Sequence, residues 1–337
     1  MVQVIAEIGV NHNGSINLAK HLINESARCG VNFVKFQTFV ASRVISEKAP
    51  KLEYQKVSGA ETDNVSQLEM LQKLELSYFD HLELVECAKK SGTTFISTPK
   101  DQASADLLEA LDVPLYKIGS GDLMNFPLLE HIGKKNKPIY LSTGMATLKE
   151  ISAAVKVIEK TPCPALSLFH CVSAYPAPDS QLNLNAIKTL KKEFSLPVGY
   201  SDHSIGIDAA IYAVAMGASI IEKHVTLDKK LEGPDHKASI TFAELKSLMD
   251  RLSTFQLMIG DGSVEPQSCE ILNRQLFRRG LYYNKSLAND HIITIEDIDV
   301  KRPASGLLPS DLDRVLTRRL RHGVEKGQLV EPKDFDD

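Results

Sequence analysis

The chain has five cysteines, an odd number, and none of them stands in CxxC spacing. That scatter offers no disulfide framework and suits a reducing compartment, where thiols serve as small buried hydrophobes. The opening stretch MVQVIAEIGVNHNG has neither a basic leader run nor a long apolar segment. Secretion and membrane insertion are therefore not indicated, and a cytoplasmic protein is expected. Excess positive charge is missing too: 39 Lys and Arg against 43 Asp and Glu give a formal net charge of −4. Nucleic acid and anionic membrane are poor candidates for the main partner, so any anion site must be local. Low-complexity segments are absent.

What is present is a recurrence. Eight short β-branched, apolar runs occupy the first 230 residues: VIAEIG, FVKFQT, TTFISTP, LYKIGSG, PIYLSTG, ALSLFHC, LPVGYSDH and SIIEKHVT. Segments of helix length, such as SINLAKHLINESARCG and LKEISAAVKVIEK, separate them. This alternation predicts a parallel sheet with helical crossovers, and eight units predict a closed (β/α)₈ TIM barrel with its active site at the strands' C-terminal ends. Helix starts are expected at Ser15, Asp101, Pro127 and Thr147. The long polar stretch Ala41–Ser66 reads as a rim loop at the mouth. The barrel should end near residue 262, with 263–278 a linker. A β-rich domain built from the runs GLYYNKSL, HIITIEDIDVKRP and GVEKGQLVEPKDF should fill 279–337.

Nearly every run ends in chemically capable side chains. Two histidines, His203 and His224, end adjacent strands about 4.8 Å apart, close enough for both imidazoles to reach one metal ion. Asp202 and Glu222 beside them strengthen that reading against two hydrogen-bonded core histidines. Lys35 and Lys117 face the barrel mouth by alternation, and a lysine there needs an anion. With the hydroxyls of Thr98, Ser120, Ser142 and Ser201, and with Gly119, Gly121 and Gly144 admitting backbone amides, the natural guest carries a phosphate and a carboxylate. An internal ion pair with Glu7 or Glu222, or a Schiff-base lysine, is the plainer alternative.

The motifs AEIGVNHNGS, VKFQTF, APKLEYQ, FISTP, YKIGSGDL, LSTGMAT, HCVSAYPAP, VGYSDHSIG, IEKHVTLD and GPDHKAS occur in the order seen in the sialic acid synthase family. The tail VKRPASGL and EKGQLVEPKDF resembles that family's antifreeze-like (SAF) domain. The resemblance spans essentially the whole chain. It implies a metal-dependent condensation of phosphoenolpyruvate with an N-acetylated hexose in its aldehyde form. N-acetylmannosamine is favoured as acceptor, N-acetylneuraminate and phosphate as products, and N,N'-diacetyllegionaminate synthesis stands as the alternative.

By the same resemblance Lys35, Thr98, Lys117, Ser120, Ser142, Ser173 and Ser201 hold phosphoenolpyruvate. His203 and His224 hold Mn²⁺ or Mg²⁺, which polarises the aldehyde. Glu7 positions the sugar and transfers protons, while Gln37, Tyr175, Glu222 and Asp235 contact the sugar, Asp235 from a flexible mouth loop. Arg302 reaches the partner's active site in a homodimer whose tails are exchanged. The chain departs from many relatives at Lys100, where an aromatic often follows STP and the added positive charge either bears on the phosphate pocket or points outward, and at Ser173, where Asn or Thr is common. Synthases acting on phosphosugars share the chemistry but need a second phosphate site, and no further Arg/Lys-rich loop pattern supplies one. A carbohydrate- or ice-binding protein without activity would leave the barrel-mouth residues unexplained.

Overall fold

The computed structural model describes residues 2–47, 49–50 and 66–336. Eight parallel strands form the first unit: β1 (Gln3–Gly9), β2 (Phe33–Thr38), β3 (Thr94–Pro99), β4 (Tyr116–Ile118), β5 (Ile139–Ser142), β6 (Leu166–Cys171), β7 (Val198–Asp202) and β8 (Ile220–Thr226). Hydrogen-bonded neighbours run β3-β2-β1-β8-β7-β6-β5-β4. β3 and β4 lie side by side, and no shared ladder joins them among the described residues, so the barrel is nearly closed.

Helices follow the strands where the caps direct them. Ser15 accepts a hydrogen bond from the Leu18 amide at the head of Ile16–Arg28. Thr147 with Glu150, and Thr241 with Glu244, build capping boxes at Leu148–Glu159 and Phe242–Met258. Asp101 caps Gln102–Ala110. In each case a side-chain oxygen satisfies an amide that the first turn leaves unpaired. Of the rim loop expected over Ala41–Ser66, the start folds as a short helix, Ala41–Val44, and residues 51–65 lie outside the described ones.

Period-two alternation sorts the strand side chains into two faces. Outward residues such as Val4, Val34, Tyr116, Leu141, Leu168 and Ile221 pack with the helices into one large core. Inward residues Ile5, Ile96, Leu115, Phe169 and Ile220 form a separate apolar plug, with Phe33 and Tyr140 packed on it. β7 contributes Gly199 at this level, because a Cβ there would meet the Phe169 ring at 2.7 Å. The ring is thus seated where one strand has no side chain.

The chain divides into two compact units, Met1–Ile259 and Gly260–Asp337. The second has its own core, including Leu281, Tyr283, Ile293, Val315, Leu320 and Val330. An antiparallel pair, β10 (Gly280–Tyr283) with β11 (Ile298–Lys301), is its only sheet among the described residues, β9 being the short strand Ile240–Thr241 beside β8. The expectation of a third strand in GVEKGQLVEPKDF is corrected: Val324, Leu329 and Phe335 make isolated bridges only, and a 3-10 turn at Pro332–Asp334 interrupts the run. Proline at that turn lacks the amide a ladder requires. The stretch read as a linker holds a helix, Ile271–Phe277. No helix among the described residues is long and apolar enough to cross a membrane.

Candidate active site

Two positions beyond the apolar plug, the inward face of the barrel turns polar. Glu7, Lys35, Thr98, Lys117, Ser142, Ser201 and Glu222 each stand one inward step further along their strands, and all are buried. The strand registers align them: Glu7 sits opposite Lys35, and Ser201 opposite Glu222. Another inward step brings Gln37, Lys100, Gly119, Gly144, Ser173, His203 and His224. These two layers line a cavity of about 620 Å³, a volume suited to small-molecule substrates.

Charges in the lower layer are internally paired. Lys35 Nζ lies 2.8 Å from Glu7 Oε2 and 3.9 Å from Glu222 Oε2, and Lys117 Nζ lies 3.7 Å from that same Glu222 oxygen. Lys35 also donates to Thr98 Oγ1 at 3.1 Å, and Lys117 to Ser142 Oγ at 2.6 Å. Ser201 donates to Glu222 Oε1 at 2.9 Å. Burial pushes Glu7 up to about 7, opposed by Lys35 and reinforced by Glu222. Glu222 goes the other way: burial favours its neutral form, but Lys117 and Lys35 outweigh that and hold it low. Two carboxylates in one pocket are thereby split into an ionised one and one poised near neutrality, the separation that proton-transfer sites display.

The histidine pair occupies the upper layer. Their ring centroids are 5.6 Å apart. Tyr175 packs on both, 4.1 Å from the His203 ring and edge-on to His224 at 5.9 Å. A carbonyl can only accept, so the 2.8 Å contact between His203 Nδ1 and the Val172 oxygen places the proton on Nδ1 and a lone pair on Nε2. His224 is buried, held neutral by desolvation and by His203 beside it, and its Nδ1 has no hydrogen-bond partner among the described residues. His203 goes the other way: burial disfavours its charge, but Cys171 and the Val172 carbonyl outweigh that and raise it. A neutral His224 with an unsatisfied nitrogen, facing His203 across 5.6 Å, fits a divalent cation that keeps open positions. No group of three His, Cys, Asp or Glu side chains among the described residues is arranged to cage a metal, so water and substrate atoms would complete the shell.

The structure gathers most of the predicted site residues into this one cavity, and two, Asp202 and Asp235, depart from their expected places. Asp202 points outward, because it alternates with Ser201 and His203, and it pairs at 2.8 Å with the equally buried Lys223. It is a core ion pair, corrected from its reading as a companion of the histidines. Asp235 is likewise no flexible mouth contact: it is buried, its Oδ2 is 3.8 Å from His224 Nδ1, and burial raises it to about 6. Arg302 belongs to the second unit, where it is exposed and its guanidinium lies 5.3 Å from the Phe277 ring centre.

Among the lining residues, Lys100 had two open readings from sequence, towards the phosphate pocket or outward, and Cys171 and Met145 had no role assigned. Lys100 continues the Ile96, Thr98 alternation one step past β3, with its amide donating to the Thr38 carbonyl. Cys171 stands in the lower layer with its Sγ 3.6 Å from His203 Nδ1. Met145 follows the glycine at the end of β5 and lines the rim. The inward register carried the signal for the first two.

The model of the NeuB family matches residues 22–264, and that of the SAF domain residues 278–336. The chain is 44% identical over 97% of its length, and 98% of the relative's, to N,N'-diacetyllegionaminic acid synthase of Campylobacter jejuni. Against the protein of the same name from Legionella pneumophila the identity is 41%, covering 97% of this chain and 92% of that one. Among solved structures, the N-acetylneuraminic acid synthetase of Leptospira borgpetersenii, in complex with citrate, aligns with a TM-score of 0.73 at 35% identity, covering 81% of this chain and 90% of that one.

Proposed function

The chain belongs to the NeuB family and carries a SAF domain, and on that premise we propose that it condenses phosphoenolpyruvate with an open-chain N-acetylated amino-hexose. The products are a nine-carbon 2-keto sugar acid and phosphate. The observation that carries this reading is the lower inward layer: two buried lysines, three hydroxyls and two carboxylates of divergent acidity around one cavity. Phosphoenolpyruvate offers a phosphate and a carboxylate to Lys35, Lys117, Thr98, Ser120, Ser142, Ser173 and Ser201. Charge-assisted hydrogen bonds from such groups are short and strong in a site with few waters.

His203 and His224 would hold a divalent cation, Mn²⁺ or Mg²⁺, with Tyr175 fixing their rings. When bound there, such an ion supplies Lewis-acid polarisation of the acceptor carbonyl. In the condensation, C3 of the enol bonds to the aldehyde carbon and water adds at C2. Expulsion of phosphate by C–O cleavage then leaves the ketone. Glu7, poised near neutrality, takes the proton of the attacking water, and Lys35 beside it stabilises the resulting charge distribution. Gln37, Glu222 and Tyr175 face the acceptor, and Asp235 acts behind His224. We assign Arg302 to the N-acetyl group of the acceptor bound by the partner in a homodimer. Arg302→Ala should then raise KM for the sugar and leave that for phosphoenolpyruvate unchanged.

Higher identity to two relatives named for N,N'-diacetyllegionaminic acid than to the structure named for N-acetylneuraminic acid shifts the favoured acceptor from N-acetylmannosamine to a doubly N-acetylated hexose. Incubation with Mn²⁺, phosphoenolpyruvate and a panel of N-acetylated hexoses, read by mass spectrometry, tests the proposal. Turnover confined to phosphorylated acceptors such as arabinose 5-phosphate would overturn it.

A further inference from the structure

A trianionic donor entering this cavity meets two lysines already committed to carboxylates. Lys35 lies 2.8 Å from Glu7 and 3.9 Å from Glu222, and Lys117 lies 3.7 Å from Glu222. With Glu7 and Glu222 both ionised, these four side chains sum to zero. The third lysine lining the cavity is different: no carboxylate lies within ion-pair distance of Lys100 among the described residues, and it is only partly buried. Its charge is felt by Asp235, but among the described residues it is the lining lysine that no carboxylate pairs with.

Its direction follows from the fold. Ile96, Thr98 and Lys100 fall on successive inward positions, and the backbone at Lys100 is pinned by its hydrogen bond to Thr38. The neighbouring strand contributes Gly119 at the same level. A Cβ built there would stand 3.6 Å from Lys100 Nζ and 3.8 Å from Thr98 Cγ2, so the ammonium occupies the place that a side chain on β4 would fill. Ser120 follows directly. Its hydroxyl oxygen accepts the Gly144 amide at 3.0 Å, and the hydroxyl also hydrogen-bonds to Cys171, so it is held at the cavity wall. Around the ring, β3 and β4 stand four strands from β7 and β8, so this wall is across the barrel from His203 and His224.

We propose that Lys100, with Thr98, Ser120 and the backbone at Gly119–Gly121, forms the phosphate end of the donor site, a contact specific to chains with a cation two residues after the β3 threonine. A phosphate at this wall leaves the carboxylate for Lys35 and Lys117 deeper in the barrel, and it points the enol carbon towards the histidine side. Lys100 also remains to hold inorganic phosphate after C–O cleavage, so release of that product depends on it. The assignment rests on the phosphoenolpyruvate reading above. A phosphate carried by the acceptor would have the same chemistry, and the test separates the two.

The full-length protein is assayed as wild type, Lys100→Met and Lys100→Arg. In the Met variant, kcat/KM for phosphoenolpyruvate should fall about tenfold and the inhibition constant of inorganic phosphate should rise by a similar factor, the scale of one charged hydrogen bond. KM for the sugar should stay within twofold, and Arg should recover most of the loss. Calorimetric titration with inorganic phosphate, which needs no turnover, should show the same weakening. Unchanged phosphate affinity in the Met variant would overturn the proposal, as would a loss that appears in sugar KM alone. Wild-type protein that consumes no phosphoenolpyruvate would instead defeat the underlying reading.

Discussion

Glu7 on β1 and Lys35 on β2 are register partners whose charged groups meet at 2.8 Å, both almost wholly withdrawn from solvent. The pair is not symmetric in its chemistry. Burial raises the Glu7 carboxyl to about 7, whereas Lys35 is held above its ordinary value because Glu222 and Glu7 together outweigh the effect of burial. Lys35 therefore stays charged at any physiological pH, and Glu7 is the member that titrates.

A pH profile should report that titration. If Glu7 acts as a base, kcat/KM falls on the acid side with an apparent pKa near 7. Glu7→Gln should remove this limb and lower kcat by about 100-fold or more, the scale of a lost general base. An acid limb unchanged in the variant would assign the proton to another group.

Stability should carry the same signature with a defined sign. Between 4.5, the ordinary value of a glutamate, and about 7 the folded protein holds a proton on Glu7 that the unfolded chain has released. The native state thus binds more protons there, and stability contributed by this group declines as pH rises through that window. Melting temperatures measured across pH 4.5 to 8 should show the decline in the wild type and a flatter curve in Glu7→Gln.

Glu222 is the counter-ion shared by two buried lysines. Glu222→Leu leaves Lys117 without a carboxylate and Lys35 with Glu7 alone. Removing one member of a buried charge group typically costs about 3–5 kcal/mol. The long separations of 3.7 and 3.9 Å place this case at the lower end. Urea unfolding should show a destabilisation of about 3 kcal/mol, with Glu222→Gln intermediate.

Gly144 offers a test of donor binding that spares the charges. A Cβ at this position would collide with Ser173 Oγ and come within 2.8 Å of Ser120 Oγ. Gly144→Ala should displace both hydroxyls, reduce kcat/KM for phosphoenolpyruvate by about tenfold and shift the melting temperature little, because serine side chains can rotate away. Steady-state kinetics against both substrates, with thermal melts, check this.

Much of the site was legible because a strand's two-residue period says which side chains share a face. Lys35 and Lys117 were assigned to the mouth by that rule, and Ser142 and Ser201 by their places at strand ends; the cavity contains all four. The same rule, applied strictly, would have removed Asp202, which lies between two inward residues, and would have added Lys100. Asp235 eluded the sequence because nothing in GPDH signals burial; its carboxylate is covered only once the loop after β8 folds back beside His224. In the second unit, apolar runs that look like strands lack enough partners in sequence order to ladder, and Pro332 stops the last of them.

Phosphoenolpyruvate labelled with ¹⁸O in the bridge between C2 and phosphorus gives the most direct test of the condensation itself. Cleavage of the C–O bond carries the label into inorganic phosphate, which mass spectrometry should find fully enriched in one oxygen alongside one equivalent of the 2-keto sugar acid. Unlabelled phosphate, with the heavy oxygen retained on the carbon product, would contradict the account.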